Sequence, residues 1–121
     1  MSRFAVEFAE RYVRTESTKD IERIVDQFAP HAILRTPERE LVGSDALLGF
    51  YREFLAPMIE IDLRVLRAFG DRRGLAFEWA GLTTFDNGSV MRAVGCDVVT
   101  LDNGLIALST CLLYTSPSPR D

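Results

Sequence analysis

The sequence has one histidine, one tryptophan and two cysteines in 121 residues, and a single lysine among its fourteen basic residues. One histidine and scattered acids offer no metal-ligand spacing, so no metal is expected. A net charge of −4 without any Lys/Arg run excludes a nucleic-acid binder, which needs a basic face for phosphates. No segment approaches the roughly eighteen apolar residues of a spanning helix, and charges interrupt the N-terminus where a signal peptide needs an apolar core. No membrane contact is therefore expected, and the expected location is cytoplasmic. Repeats, low-complexity tracts and linkers are missing from residues 1–110. What is present, 47% hydrophobic and 26% charged residues, suits one globular domain with a real core.

The tail stands apart. Residues 111–121, CLLYTSPSPRD, resemble a translated sequencing adapter, and their Ser-Pro-Ser-Pro composition is also that of a disordered terminus. The expectation is a single domain over 1–110, C-terminally truncated, followed by a non-native tail. Cys96 is then the only native cysteine, which excludes a disulfide and a cysteine-based metal site.

Along the chain, Phe4, Phe8 and Tyr12 form an i, i+4, i+8 stripe that predicts an amphipathic helix over 3–15 with Tyr12 inward. Ser17 with Asp20 resembles a capping box, and Ile21, Ile24, Val25 and Phe28 continue at helical spacing until Pro30. His31 to Thr36 reads as a strand, as does Arg39 to Val42. Ser44 can cap a third helix that turns Leu47, Leu48, Tyr51, Phe54 and Leu55 inward, with Pro57 beyond its end. Ile59 to Phe69, Leu75 to Leu101 and Leu105 to Thr110 complete a set of strands. Helices first and antiparallel strands last predict an α+β fold: a cone-shaped barrel with three N-terminal helices packed on a curved, mostly antiparallel sheet. Its mouth would suit a small apolar molecule.

The chemistry is concentrated in the hairpin folded at Asn87-Gly88. Asn-Gly favours a two-residue turn, which pairs Asp86 with Ser89 and sets Glu78 directly opposite Asp97, with side-chain roots roughly 5 Å apart. Two carboxyls so placed resist ionising together, and on an enclosed face one would hold a proton near neutral pH. Ala76, Ala80, Ala93, Gly95, Leu82, Met91 and Val99 would share that face and leave room for a ligand. The opposite face, with Phe77, Trp79, Phe85, Val90, Val94, Cys96 and Val98, is too apolar for water. It is expected to meet a second copy through Trp79, Val94, Cys96 and Val98. Two alternatives stay open: helices over the bulky face, leaving the acids wet, or a three-residue turn through Asp86-Asn87-Gly88, which moves Glu78 and Asp97 to opposite faces.

The ordered segments DIERIVDQFAPHAILRTP, LVGSDALLGFYREF and GCDVVTLDNGLIAL resemble the nuclear transport factor 2-like superfamily, in particular its SnoaL-like polyketide cyclase and ketosteroid isomerase-like branch. The resemblance spans residues 3–110. It implies that Tyr12 and Asp97 occupy the positions that donate hydrogen bonds to a substrate oxyanion, that Tyr51 supports them, and that Phe28 replaces a further tyrosine. The branch's base is an aspartate before a proline; here Thr36 precedes Pro37 and cannot act as a base at neutral pH. A carboxylic acid kept neutral by an apolar site is the ketosteroid isomerase pattern and is borrowed from it.

The reading is a cofactor-free acid/base enzyme of isomerase, cyclase or dehydratase type, acting on a small, largely apolar carbonyl compound. Asp97 is assigned as protonated donor, Tyr12 as second donor and Glu78 as base, with Tyr51, Thr36, Phe28, Leu82 and Met91 as support or substrate contacts. A non-catalytic ligand-binding or dimerising module is the alternative. A further one is an epoxide hydrolase, in which Glu78 and Asp97 orient a water as in the related limonene epoxide hydrolases.

Overall fold

A computed structural model describes residues 2–115. Its order is α1 (Arg3–Ser17), α2 (Ile21–Val25), β1 (Phe28–Arg35), β2 (Glu40–Val42), α3 (Ser44–Leu55), β3 (Met58–Gly70), β4 (Gly74–Phe85), β5 (Val90–Asp102) and β6 (Leu105–Thr115). The α+β class follows: three helices and one six-stranded sheet in the order β2-β1-β6-β5-β4-β3. β1 runs parallel to β6 and every other pairing is antiparallel. The sheet is curled but unclosed, because β2 and β3 remain its two edges.

Local chemistry explains most boundaries. Ser2 caps α1 by accepting from the Ala5 N–H at 3.2 Å, and the stripe buries Ala5, Phe8, Ala9, Tyr12 and Val13. The expected capping box is divided differently: Ser17 ends α1, its hydroxyl donating to the Val13 carbonyl, and Asp20 alone caps α2. The second helix also stops earlier than its periodicity suggests. Phe28 begins β1, and the β1–β6 register slips between Phe28 and Ile33, around Pro30, which lacks the N–H a regular ladder needs. Gly43, not Ser44, is the cap residue of α3.

β6 runs past Thr110, so Cys111 to Thr115 pair with β5 as strand. The Ser-Pro-Ser-Pro segment lies outside the described residues. Among the described residues no helix is long and apolar enough to cross a membrane.

The core forms where α1 lies on β3 and β4 and α3 lies on β1. Tyr12 meets Phe77 edge-on, with ring centroids 5.8 Å apart. Phe28 and Tyr51 are tilted neighbours at 6.4 Å.

The hairpin register differs from the two-residue expectation. Phe85 N–H donates to the Ser89 carbonyl and Gly88 N–H to the Phe85 carbonyl, each at 2.9 Å. Asp86, Asn87 and Gly88 thus form a three-residue loop with only Gly88 at positive φ, 88°. Phe77 therefore pairs with Asp97 and Glu78 with Cys96. Leu75, Phe77 and Trp79 share the inner face with Met91, Ala93, Gly95, Asp97 and Val99. Ala76, Glu78, Ala80 and Leu82 turn outward with Val94, Cys96 and Val98. The inner and outer sets read from β5 hold, and those read from β4 are exchanged. Packing accounts for the choice. A Cβ at Gly95 would overlap the Trp79 ring, so the glycine is what lets the indole lie inside the sheet. The alternative register would have buried two acids face to face and left Phe77 in water.

Candidate active site

The inner face encloses a cavity of about 200 Å³ between the sheet, α1 and α3. That is small beside the several hundred Å³ of a drug-sized site, so the ligand it suits is small. Its walls are mostly apolar: Leu34, Phe50, Met58, Ile61, Leu63, Phe77, Met91 and Ala93 all line it. Polar atoms form only a minor part of the wall, which gives the polar groups that reach it weight.

Tyr12 reaches the cavity from α1 and Tyr51 from α3, both buried, with hydroxyl oxygens 3.4 Å apart. Burial pushes both phenols well above their ordinary value, so each keeps its proton and can donate. Asp97, 5% exposed, projects from the middle of β5, and the Trp79 indole donates Nε1–H to its Oδ1 at 3.1 Å. Burial lifts the Asp97 carboxyl to about 6, against the opposing pull of the indole hydrogen bond and one from Cys111. Thr36 and Met91 also line the cavity. The Thr36 hydroxyl accepts from the Arg39 N–H at 3.1 Å, closing the β1–β2 turn at the mouth.

Three expected members lie elsewhere. Glu78 does not meet Asp97: it sits on the outer face, where Arg67 donates Nε–H and Nη2–H to its two oxygens at 2.6 and 3.2 Å. That arginine holds the Glu78 carboxyl below its ordinary value. Leu82 is on the same outer face and 39% exposed. Phe28 is a core residue behind Tyr51 and not part of the wall. Each follows from the three-residue turn or from the early start of β1. Trp79, expected on an outer contact face, points inward.

The structure brings in two acids that the sequence reading missed, the exposed Glu38 at the mouth and Glu16 further in. Glu16 lines the cavity together with Asp97. It follows Tyr12 by four residues, so the helix sets it one turn further along the same face. Burial, reinforced by the Asp97 charge, raises its carboxyl to about 8. The missed signal was an acid at i+12 on the stripe begun by Phe4, where a core-facing helix would carry an apolar residue. Two carboxyls thus do face one sheltered space, contributed by α1 and β5 and not by neighbouring strands.

The SnoaL-like domain model matches residues 9–109, a span that contains Tyr12, Glu16, Tyr51 and Asp97. The chain belongs to the SnoaL-like domain family. No curated protein matches it at a significant level. Solved structures show the fold of this SnoaL-like chain. A hypothetical protein with a ketosteroid isomerase-like fold from Catenulispora acidiphila DSM 44928, in complex with trimethylamine, has a TM-score of 0.80 at 10% identity, covering 94% of this chain and 88% of its own. A protein of Shewanella denitrificans OS-217, provisionally named a SnoaL-like polyketide cyclase, also scores 0.80 at 10% identity, with 93% and 92% covered. A nuclear transport factor 2-like protein of unknown function from Exiguobacterium sp. 255-15 scores 0.76 at 18% identity, with 92% and 99% covered.

Proposed function

We propose that this SnoaL-like protein is a cytoplasmic, cofactor-free acid/base enzyme. It moves a proton on a small, largely apolar carbonyl compound held at the mouth of a cone formed by the curled sheet and its helices. The observation that carries the reading is the buried Asp97 beside two protonated tyrosines in a mostly apolar cavity. Donors fixed in a dry site stabilise charge that develops on a carbonyl oxygen without reorganisation during the reaction. Tyr12, backed by Tyr51, is such a donor. The test is exchange of the α-protons of α-tetralone into D2O, followed by proton NMR. Exchange above buffer is expected, reduced about a hundredfold in Tyr12→Phe and in Asp97→Asn. Exchange that is unaltered by both substitutions rejects the reading.

One observation favours the second reading, a non-catalytic ligand-binding module. Where the related isomerases carry an aspartate, Thr36 has its hydroxyl occupied by the Arg39 backbone. Saturable binding of α-tetralone without exchange would decide for that module.

We also propose that two copies pair through the outer sheet face. Val94 and Val98 are 46% and 47% exposed there, and Ala76, Ala80 and Cys96 lie on the same face. Apolar area of that kind is costly to leave in water.

A further inference from the structure

Resting on the acid/base reading of the cavity, one asymmetry goes beyond it. The surface acids Glu7, Glu40 and Glu78 each hold an arginine. The Glu16 carboxyl has no hydrogen-bond or ion-pair partner among the described residues, although it lines the cavity and is only partly exposed. Asp97, across that space, has the Trp79 indole N–H on Oδ1. A donated hydrogen bond favours the ionised form of a carboxyl, and its absence in a poorly solvated place favours the neutral form. We propose that Glu16 and Asp97 work as one proton-sharing pair, with Glu16 the proton-bearing acid and Asp97 the carboxylate that accepts a proton. This inverts the role that the family resemblance implies for Asp97 and fills the position vacated by Glu78.

The step balances without a co-reactant. An Asp97 oxygen takes the proton from the carbon α to a ketone, and the C–H electron pair becomes the new C–C double bond. The carbonyl π pair moves to oxygen, which takes the Glu16 proton. The enol then returns its O–H proton to Glu16 while Asp97 delivers its own to the α carbon or to a conjugated carbon, and both groups are restored. The substrate is accordingly a neutral ketone, since an anionic group would share the cavity with the Asp97 charge. The other titratable or charged groups around the pair are Tyr12 on α1, Tyr51 on α3, Glu38 and Arg39 at the mouth and Cys111 on β6.

Carboxyl-labelled 13C NMR titration of the full chain tests the pair directly. The wild type should show two midpoints outside the ordinary range, Asp97 near 6 and Glu16 near 8. Because Asp97 ionises first, Asp97→Asn should lower the Glu16 midpoint by about one unit or more, whereas Glu16→Gln should leave the Asp97 midpoint in place. Trp79→Phe removes the donor and should raise the Asp97 midpoint. The reverse order, or two midpoints between about 4 and 5, overturns the proposal. Should Asp97→Asn not fold, the wild-type order and the Trp79→Phe shift still decide. The α-tetralone assay separates the two claims. A coupled pair without exchange leaves the pairing intact in a binding protein, and exchange without a coupled pair places the chemistry on other groups.

Discussion

At the scale of single residues, the cavity acids Glu16 and Asp97 make stability depend on pH with a definite sign. Folding raises Glu16 from 4.5 to about 8, so between those values the folded chain binds more protons than the unfolded one, and stability falls as pH rises. Below the lower value both states are protonated and nothing is lost; above the upper value the full cost is felt, on the order of a few kcal/mol. Asp97 adds the same sign between 3.8 and about 6. The thermal midpoint is therefore expected to drop by roughly 5–10 °C from about pH 5 to about pH 8. Glu16→Gln should remove most of that slope above about pH 6 and so stabilise the protein in alkaline buffer. A midpoint flat with pH in the wild type would contradict the desolvation of both carboxyls. Glu78 supplies the contrast. Its partner Arg67 is on the surface and so is it, and Glu78→Gln should leave the Asp97 titration and the α-tetralone exchange unchanged.

At the scale of elements, the turns decide what the strands present. Asn103-Gly104 forms a two-residue turn, with φ of 51° and 83° and Asp102 paired with Leu105. Asn87-Gly88 does not, although the dipeptide is the same. The difference lies in the strands: β4 has to bury Leu75, Phe77 and Trp79 against the helices, and only the longer loop brings them to the face of Asp97 and Val99. Deleting Asp86 would impose the shorter loop and turn that row outward, a loss on the order of the whole folding stability. Gly88→Ala keeps the register and strains one residue, so it should cost only about 1 kcal/mol. Chemical denaturation of the two variants checks the ranking, and comparable losses would mean that register does not depend on loop length. Gly95→Ala collides with the Trp79 ring and should cost about 1–3 kcal/mol. Because the indole must shift, the Asp97 midpoint should also rise in that variant.

At the scale of the whole molecule, the outer sheet face remains to be covered. If two copies pair there, Val94→Lys combined with Val98→Lys should convert a dimer to a monomer in analytical ultracentrifugation, leaving the Glu16 and Asp97 titrations intact. A wild type that sediments as a monomer at tens of micromolar would remove that surface from the account. The fold class, the helix α1 with Tyr12 inward and the run of strands were legible in the sequence, because apolar periodicity reflects which face of an element must leave water. Inward placement of Asp97, Met91, Ala93 and Gly95 was legible for the same reason. The partner of Asp97 was not. Strand residues alternate with a period of two, so one extra residue in a loop exchanges both faces of β4, and nothing local to Glu78 reports which loop will form. Glu16 was hidden differently: it lies 81 positions from Asp97 in the numbering, and an acid at the end of a helix reads as solvated until a sheet is laid across it. The sequence alone determined the order of helices and strands and the apolar side of most of them, though not where α2 ends or that β6 continues past Thr110. Which two carboxyls share the cavity was decided by long-range packing, because desolvation and charge repulsion depend on distances in space and not on separation along the chain.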